Sequence, residues 1–437
     1  MTAHVMDQLI EKVLQFFAFS LPFALLGGRW GDYVFSAATF FVLFLDILLL
    51  LRGRFLKKPL FFFVLFWFWC FLTAVPRYPL SSYGLSLLAL GAMALPLCGS
   101  IPDTVKGQSV LKALIYGALA SFVLAGYEIG VNFGLPPLTD ITSIGLWGTE
   151  AVQESVYFGI YRVKAGETEP AHYAHYLVFV YAIVDLAERQ GHEIQCPRLL
   201  KTTLVFFLLA TISLSGLILF VGYQAAAFSL QWRKRIMKKI ASVWFWSLLP
   251  LVAFFAIGVW QLVGGSISEY AAFTFGRLEV AITSIQSGFV SGKSGFVSGS
   301  EASRARSATM MFEYWASQDW IHTLVGEGYA NYESWLKKAF PYRGKGLESS
   351  FARGSVHSVF SVVGISTGTI GLLLYLGFVR TVTLRRRVYL PTAFLALWTL
   401  YNLTTGYLIT YQLWWPIILG MLIFRIRRKN CHWRKHS

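Results

Sequence analysis

The sequence predicts an all-helical polytopic membrane protein, with about twelve transmembrane helices and a large helical loop on the outer face. Apolar residues make up 56% and charged residues 14% of the 437 residues, which is outside the usual range of soluble domains. Apolar runs of about 20 residues, the length that crosses a bilayer as a helix, recur along the chain. Basic clusters separate alternate runs, as expected for a chain that crosses a membrane repeatedly.

The predicted spans follow one another in chain order, and their boundaries are read from the apolar runs. They are centred on residues 10–27, 33–51, 58–75, 83–99, 109–129, 171–187, 199–213, 215–231, 241–263, 356–379, 388–404 and 407–424. No small-residue cleavage site follows the first span, which indicates a retained signal anchor.

Three predicted regions divide the chain. Residues 1–263 hold the first nine spans and an outer loop at about 130–170. Residues 264–355 form a large outer loop, and residues 356–437 hold the last three spans and a basic tail. The two outer loops are therefore the long segments available for chemistry outside the membrane.

The orientation follows from where the net charge of +16 is placed. Basic clusters lie at residues 51–58, 232–239, 380–387 and 425–435, and all fall on one face if the spans alternate. Such clusters mark the cytoplasmic face, so both termini are predicted to be cytoplasmic. The basic charge is thereby assigned to membrane topology, and nucleic acid is not an expected partner.

Cysteine usage predicts no disulfide. Cys70 and Cys98 lie in predicted spans, and Cys196 and Cys431 lie on the predicted cytoplasmic side. No cysteine is left for a bridge on the oxidising outer side.

The larger outer loop contains the first candidate site residues. The cytoplasmic segments are short and lack a GxxxxGK[ST] phosphate loop, so an active site is expected outside. Ser298 and Glu301 fit a capping box that opens a helix ending near Ser317. Arg304 has Glu301 one turn before it as an ion-pair partner. Arg306 has no acidic neighbour at helical spacing, which favours a ligand-facing role over a solvated one.

The same loop leads to the tenth span. A second helix is predicted at "NYESWLKKAF" (331–340), and Arg353 adds a cation close to the span. Ser355 fits an N-cap that places His357 in the first turn of the span. A helix N-terminus disfavours positive charge, so a neutral imidazole able to act as a general base is expected there. A histidine bonded to loop carbonyls is the alternative.

The smaller outer loop ends in "YRVKAGETEPAHYAHYLVF" (161–179). Pro170 suits the first turn of the sixth span and places Glu169 at the helix start, where the dipole favours a carboxylate. Arg162 lies seven residues earlier, in a loop able to fold back. Bases and arginines thus converge on one membrane face, which suits a ligand that carries both phosphate and hydroxyl groups.

No metal or other cofactor is expected from this loop. Glu167 and Glu169 can bind a divalent cation, but two carboxylates without further ligands are weak evidence for a site. His172 and His175 are expected to pack or to form hydrogen bonds within the span.

Several motifs occur in an order typical of one superfamily. An arginine after a Ser/Gly stretch precedes an aromatic helix, "LVGEGYANY" (324–332) and "HSVFSVVGISTGTIGLLLYL" (357–376), which contains GxxG from Gly368 to Gly371. "RVKAGETEP" (162–170) is similar to an arginine, glycine and Glu-Pro pattern that precedes a span in polymerases. The chain thus resembles the O-antigen polymerase and O-antigen ligase superfamily over most of its length.

The resemblance implies a C-type glycosyltransferase fold in the bacterial inner membrane, with a periplasmic active site. The implied donor is an undecaprenyl-diphosphate-linked glycan, and no metal or cofactor is implied. His357 and Glu169 are the implied catalytic residues. The candidate diphosphate-binding residues are Arg306, Arg162, Arg304 and Arg353.

Within the superfamily, the sequence favours a polymerase, whose acceptor is another glycan repeat unit. Ligases, whose acceptor is lipid A core, usually carry a Ser-Arg pair at the start of the eighth span. Here Leu214 and Ser215 occupy that place without an arginine. Membrane lipids are further expected partners, and a chain-length regulator protein is left open.

Two other classes remain as alternatives. A lipid-linked oligosaccharide transporter would also have about twelve spans, but its halves tend to repeat and its charges lie near the midplane. No repeat between the halves is found, and Asp46 is the clearest charge in a span. A non-enzymatic assembly subunit is the last alternative.

Overall fold

The computed structural model describes residues 3–23, 27–30, 33–75, 80–135, 156–157, 160–165, 167, 169–239, 300–329, 332–339, 356–383, 390–404 and 411–424. The helices in the first half are α1 (Ala3–Ser20), α2 (Ala37–Arg52), α3 (Lys57–Ala74), α4 (Leu80–Cys98) and α5 (Gly107–Val131). Then come α6 (Pro170–Arg189), α7 (Pro197–Ala210), α8 (Leu214–Lys239), α9 (Ser300–Ser317), α10 (Trp320–Val325), α11 (Tyr332–Ala339), α12 (Val359–Thr383), α13 (Thr392–Thr404) and α14 (Tyr411–Ile423). The predicted helical class is thereby confirmed for the described residues.

Four short strands accompany the helices. β1 (Gly27–Trp30) pairs antiparallel with β2 (Tyr33–Ser36), and β3 (Val156–Tyr157) pairs antiparallel with β4 (Ile160–Tyr161). The β1–β2 ribbon corrects the prediction that the first span reaches residue 27 and the second begins at 33. The helices instead end at Ser20 and begin at Ala37. Ser36 fixes the second start, because its hydroxyl accepts a hydrogen bond from Thr39 N.

Three described helices are long and apolar enough to cross a membrane, namely α3, α5 and α12. Shorter apolar helical stretches cover Tyr83–Cys98, Ser215–Ser229 and Gln412–Ile423. This composition indicates a membrane protein. The predicted ninth span at 241–263 lies outside the described residues.

Helix α14 and the first half of α12 lie inside the bundle, whereas the second half of α12 has an exposed side. Helix α12 packs against α3, α9, α10 and α13, and α14 packs against α2, α4, α5 and α6. Trp414 of α14 is 2% exposed, and its ring lies 6.3 Å from Tyr375, 5.9 Å from Phe378 and 6.3 Å from Trp398. These aromatic contacts join α12, α13 and α14 in one core.

Helix α12 is broken at Gly368, where φ is 66° and ψ is −168°. The backbone amides of Glu327 and Gly328 donate to the carbonyls of Ile365 and Ser366, each over 2.8 Å. The break therefore leaves these carbonyls paired with the "GEG" segment that follows α10.

Trp69 of α3 pairs with a third carbonyl at this break, since its indole Nε1 donates to Thr367 O over 2.9 Å. A Cβ on Gly368 would lie 2.2 Å from Leu324 O, and a Cβ on Gly326 would lie 2.5 Å from Gly368 N. Both glycines are therefore required by a close approach of two backbones.

Candidate functional site

The predicted arginine helix lies against the segment that carries His357. Its predicted end near Ser317 is confirmed by α9. The backbone N–H of His357 donates to Ser307 Oγ over 3.0 Å, and the hydroxyl of Ser361 donates to Ser307 O. Arg306 precedes Ser307 directly, so the two candidate residues come from adjoining backbone segments.

Some of the candidate diphosphate-binding arginines lie wholly or partly outside the described residues. The backbone of Arg304 and Arg306 belongs to α9, whereas their side chains are outside the described part of the structure. Arg353 and the proposed capping residues Ser298 and Ser355 are outside it entirely.

The register of His357 differs from the prediction. Helix α12 begins at Val359, and Ser358 Oγ accepts a hydrogen bond from Ser361 N over 3.4 Å. Ser358 therefore occupies the N-cap position, and His357 precedes the helix in non-helical backbone. The prediction that His357 lies in the first turn is wrong, because two serines three residues apart fit the same capping pattern. The His357 residue is half-buried at this helix start.

Arg162 is anchored on the turn between α7 and α8. Its Nε donates to Thr211 O over 3.2 Å and its Nη2 donates to Ile212 O over 3.3 Å. Val163 N also donates to Ala210 O, the last residue of α7. A guanidinium at a helix C-terminus pairs with carbonyls that the helix leaves unpaired. The loop thus folds back as predicted, and its arginine lies directly before α8.

Glu169 occupies the predicted position at the start of α6. Its backbone is extended, Pro170 is the first helical residue, and the carboxylate makes no capping hydrogen bond. Glu169 Oε2 lies 3.9 Å from His172 Nε2, and the Glu169 side chain is 38% exposed against 10% for His172. The carboxylate is therefore accessible to a substrate hydroxyl, which a general base requires. An imidazole lies beside it.

A buried carboxylate that the sequence did not point to holds the 162–169 loop. Glu128, at the end of α5, is 0% exposed. Its Oε2 accepts hydrogen bonds from Lys164 N over 2.8 Å and Ala165 N over 2.7 Å. Burial lowers the pKa of Lys164, and the nearby Glu128 carboxylate opposes this shift. The sequence feature that could have pointed to Glu128 is a single acidic residue near the end of an apolar run.

The second acid of the loop is also buried. Glu167 is 2% exposed, and its Oε2 accepts a hydrogen bond from Gln412 Nε2 over 3.3 Å. Among the described residues, neither Glu167 nor Glu169 belongs to a group of three or more potential metal ligands.

Helix α13 connects the two groups of candidate residues. It packs against α8, which begins beside Arg162, and against α9, which carries Arg306. His175 of α6 lies 3.0 Å from Ser215 Oγ, and its ring lies 5.2 Å from that of Tyr401 in α13. The prediction that His175 packs and forms hydrogen bonds is confirmed.

No protein-family model matches the sequence, and no curated protein matches it. The resemblance to the O-antigen superfamily therefore rests on the motifs quoted above alone.

Proposed function

We propose that this protein is an O-antigen polymerase of the bacterial inner membrane. It would join undecaprenyl-diphosphate-linked repeat units at the periplasmic face, on a twelve-span C-type glycosyltransferase fold with cytoplasmic termini. The observation that carries the proposal is the contact of Ser307 with His357, because it brings the Arg306 helix and a potential base to the same helix start. The apolar helices α3, α5 and α12 support the membrane location.

The proposed reaction is a direct displacement. A hydroxyl oxygen of the acceptor sugar attacks the anomeric carbon of the donor, and the bond from that carbon to the diphosphate oxygen breaks. The electron pair leaves with undecaprenyl diphosphate, and the anomeric centre inverts. His357 or Glu169 takes the proton of the attacking hydroxyl.

Arginines supply the charge stabilisation in this scheme. Arg306 and Arg162 would bind the diphosphate, with Arg304 and Arg353 as further candidates. Oriented cations in a partly water-excluded site stabilise a leaving group as its charge develops, and loss of one donor typically costs about 10²–10³ in rate. The anchoring of Arg162 on two carbonyls supports its part, because a fixed cation needs little reorganisation during the reaction.

One observation favours the ligase as the second candidate. The start of α8 has no arginine of its own, and this absence favoured the polymerase in the sequence. In the structure, Arg162 donates to Thr211 and Ile212 directly before α8 and so brings a guanidinium to this place. The lack of an arginine at the start of α8 is therefore weaker evidence for a polymerase over a ligase than the sequence indicated.

Deletion of the gene separates the two activities. Loss of a polymerase leaves lipopolysaccharide with a core that carries a single repeat unit. Loss of a ligase leaves bare core and accumulates lipid-linked glycan. A gel of lipopolysaccharide, with lipid-linked glycan measured in parallel, distinguishes these outcomes.

Complementation of the deletion tests the arginine. Arg306→Ala is expected to lower polymer formation by about 10²-fold or more, since an oriented cation is lost. Lys338→Ala is the matched control, because it removes an exposed positive charge from the same outer segment. Normal chain length with Arg306→Ala, at equal protein level, would refute the role of this arginine.

A further inference from the structure

Helices α9 and α10 carry large apolar side chains on their exposed surface. Phe312 is 60% exposed, Trp320 72%, Ile321 48% and Leu324 38%. The sequence places these residues in an outer loop, where a contiguous apolar surface is not expected in contact with water. We therefore expect another apolar molecule to cover these side chains.

Helix α10 is amphipathic despite its short length. At about 100° per residue, Trp320, Ile321 and Leu324 fall within an arc of about 100°. Asp319 and His322 fall on the opposite side, and Asp319 Oδ1 accepts hydrogen bonds from the backbone N of His322 and lies 2.9 Å from its Nδ1. The side chains of Asp319 and His322, 57% and 37% exposed, are thus bonded to each other on the side away from the apolar face.

The depth of α10 in the bundle can be read from α12, which forms hydrogen bonds with both α10 and α3. Thr369 Oγ1 of α12 donates to Thr323 O of α10 over 2.9 Å. Two residues earlier on α12, Thr367 O accepts from Trp69 Nε1. Trp69 lies five residues before Ala74, the outer end of α3 in the predicted topology. At 1.5 Å per residue, this contact lies about 8 Å below that end.

Helix α4 gives a second and independent depth. Tyr329, directly after the "GEG" segment, donates its hydroxyl to Ser86 O over 3.3 Å. Ser86 lies six residues after Leu80, the outer end of α4 in the predicted topology. This contact therefore also lies about 9 Å below the outer end of its span.

The exposed face of α10 continues an exposed face of α12. Leu373 is 63% exposed and lies four residues after Thr369, which places it one turn further along the same face. Leu376 on the next turn is 41% exposed. Exposed leucines on an apolar span face acyl chains, so α10 sits directly above a lipid-facing surface.

We infer that α10 re-enters the membrane from the outer face, and that Trp320, Ile321 and Leu324 contact the acyl chains of the outer leaflet. Such a helix presents its apolar face to lipid and keeps its polar face away from it. The inference is independent of the proposed transferase activity.

The backbone that follows α10 meets the main requirement for this location. Non-helical backbone at membrane depth needs partners within the protein, because lipid supplies none. The amides of Glu327 and Gly328 have such partners in the carbonyls of Ile365 and Ser366. The break at Gly368 thus supplies acceptors for two backbone amides of the segment that follows α10.

Spin-label accessibility tests the location in the full-length protein, reconstituted in phosphatidylethanolamine and phosphatidylglycerol vesicles. Cys196→Ser and Cys431→Ser first remove the cysteines outside the spans. A nitroxide is then placed at Trp320→Cys or, in a second variant, at Leu324→Cys. Collision rates are measured with oxygen, which partitions into hydrocarbon, and with a water-soluble nickel chelate.

Two reference sites fix the scale of the measurement. Val123→Cys on α5 is the lipid reference, since Val123 is 74% exposed on a membrane-spanning helix. Gln190→Cys, in the exposed turn after α6, is the aqueous reference. The ratio of oxygen to nickel collisions at both α10 sites is expected to match Val123→Cys. A ratio at either site that matches Gln190→Cys would overturn the inference, and Leu324→Cys decides if Trp320→Cys does not fold.

Discussion

Glu128 determines how the loop that carries Arg162 and Glu169 is held. Its carboxylate accepts the amides of Lys164 and Ala165, and Ala165 has a left-handed φ of 48°. An unpaired buried N–H destabilises the folded state by about 1–3 kcal/mol. Removing the Glu128 carboxylate would leave two such amides unpaired in one short loop. The acid therefore acts on the candidate site through the position of its loop.

Replacing Glu128 tests this dependence. Glu128→Ala is expected to speed hydrogen exchange of the amides in residues 162–169 by about tenfold or more, because each lost hydrogen bond is worth at least about 1 kcal/mol. Hydrogen exchange with mass spectrometry measures the effect, and the complementation gel shows whether polymer formation falls with it. Glu128→Gln keeps an acceptor oxygen and is expected to retain most of the protection.

The control for Glu128 lies on the same helix. Ser121 is fully buried two turns earlier in α5, and its hydroxyl lies 3.0 Å from that of Tyr173. Ser121→Ala removes a buried polar contact without touching the loop. Equal loss of loop protection in Ser121→Ala and Glu128→Ala would show that the loop responds to any damage in α5.

At the scale of elements, the broken helix α12 depends on Gly368. Gly368→Ala would place a Cβ 2.2 Å from Leu324 O and hold a side chain at positive φ. A backbone at this φ and ψ, a region essentially restricted to glycine, costs another residue about 1–3 kcal/mol, and the clash adds to it. Gly368→Ala is therefore expected to lower the melting temperature in detergent by several degrees and to loosen α10 from α12.

Gly126→Ala is the matched control for this substitution. Gly126 is helical in α5, and a Cβ there meets nothing within 4 Å. Alanine is favoured over glycine within a helix, so this variant is expected to be as stable as the original or more so. The melting temperatures of both variants are compared in detergent. Equal melting temperatures would show that the backbone at Gly368 can move away from Leu324 at little cost in stability.

Local signals in the sequence predicted some elements and missed others for physical reasons. The start of α6 at Pro170 follows from its proline, and this prediction is confirmed, as is the predicted end of α9 near Ser317. The β1–β2 ribbon was missed because residues 33–35 are apolar and fit the start of the second span equally well, while residues 28–30 fell between the two predicted spans. The pairing of residues 327 and 328 with the break in α12 is long-range, and no local pattern reports it.

For the molecule as a whole, the placement of basic residues predicts which face is cytoplasmic. Asp185, which is 5% exposed, joins the end of α6 to the start of α7 and to the middle of α8, on the predicted cytoplasmic side. It lies 2.8 Å from Tyr223 Oη, 3.1 Å from Lys201 Nζ and 2.6 Å from Arg189 Nη2. The 162–169 loop lies at the opposite ends of α6 and α7. The two ends of one helix group thus carry a structural ion network and the candidate site.

The predicted orientation can be tested on a native cysteine. Cys196 is exposed in the turn between α6 and α7, whereas Cys70 and Cys98 are buried. A membrane-impermeant maleimide is expected to leave Cys196 unlabelled in intact spheroplasts of a Cys431→Ser strain. Labelling is expected only after permeabilisation, because basic segments near short loops remain on the cytoplasmic side.

Phe133→Cys provides the outer reference for this experiment, since Phe133 is 85% exposed just beyond the end of α5. Its labelling in intact spheroplasts shows that the reagent reaches the outer face. Labelling of Cys196 in intact spheroplasts, with Phe133→Cys unlabelled until permeabilisation, would show that the chain has the opposite orientation. It would then place Arg162, Arg306 and His357 in the cytoplasm, where a periplasmic glycan transfer could not use them.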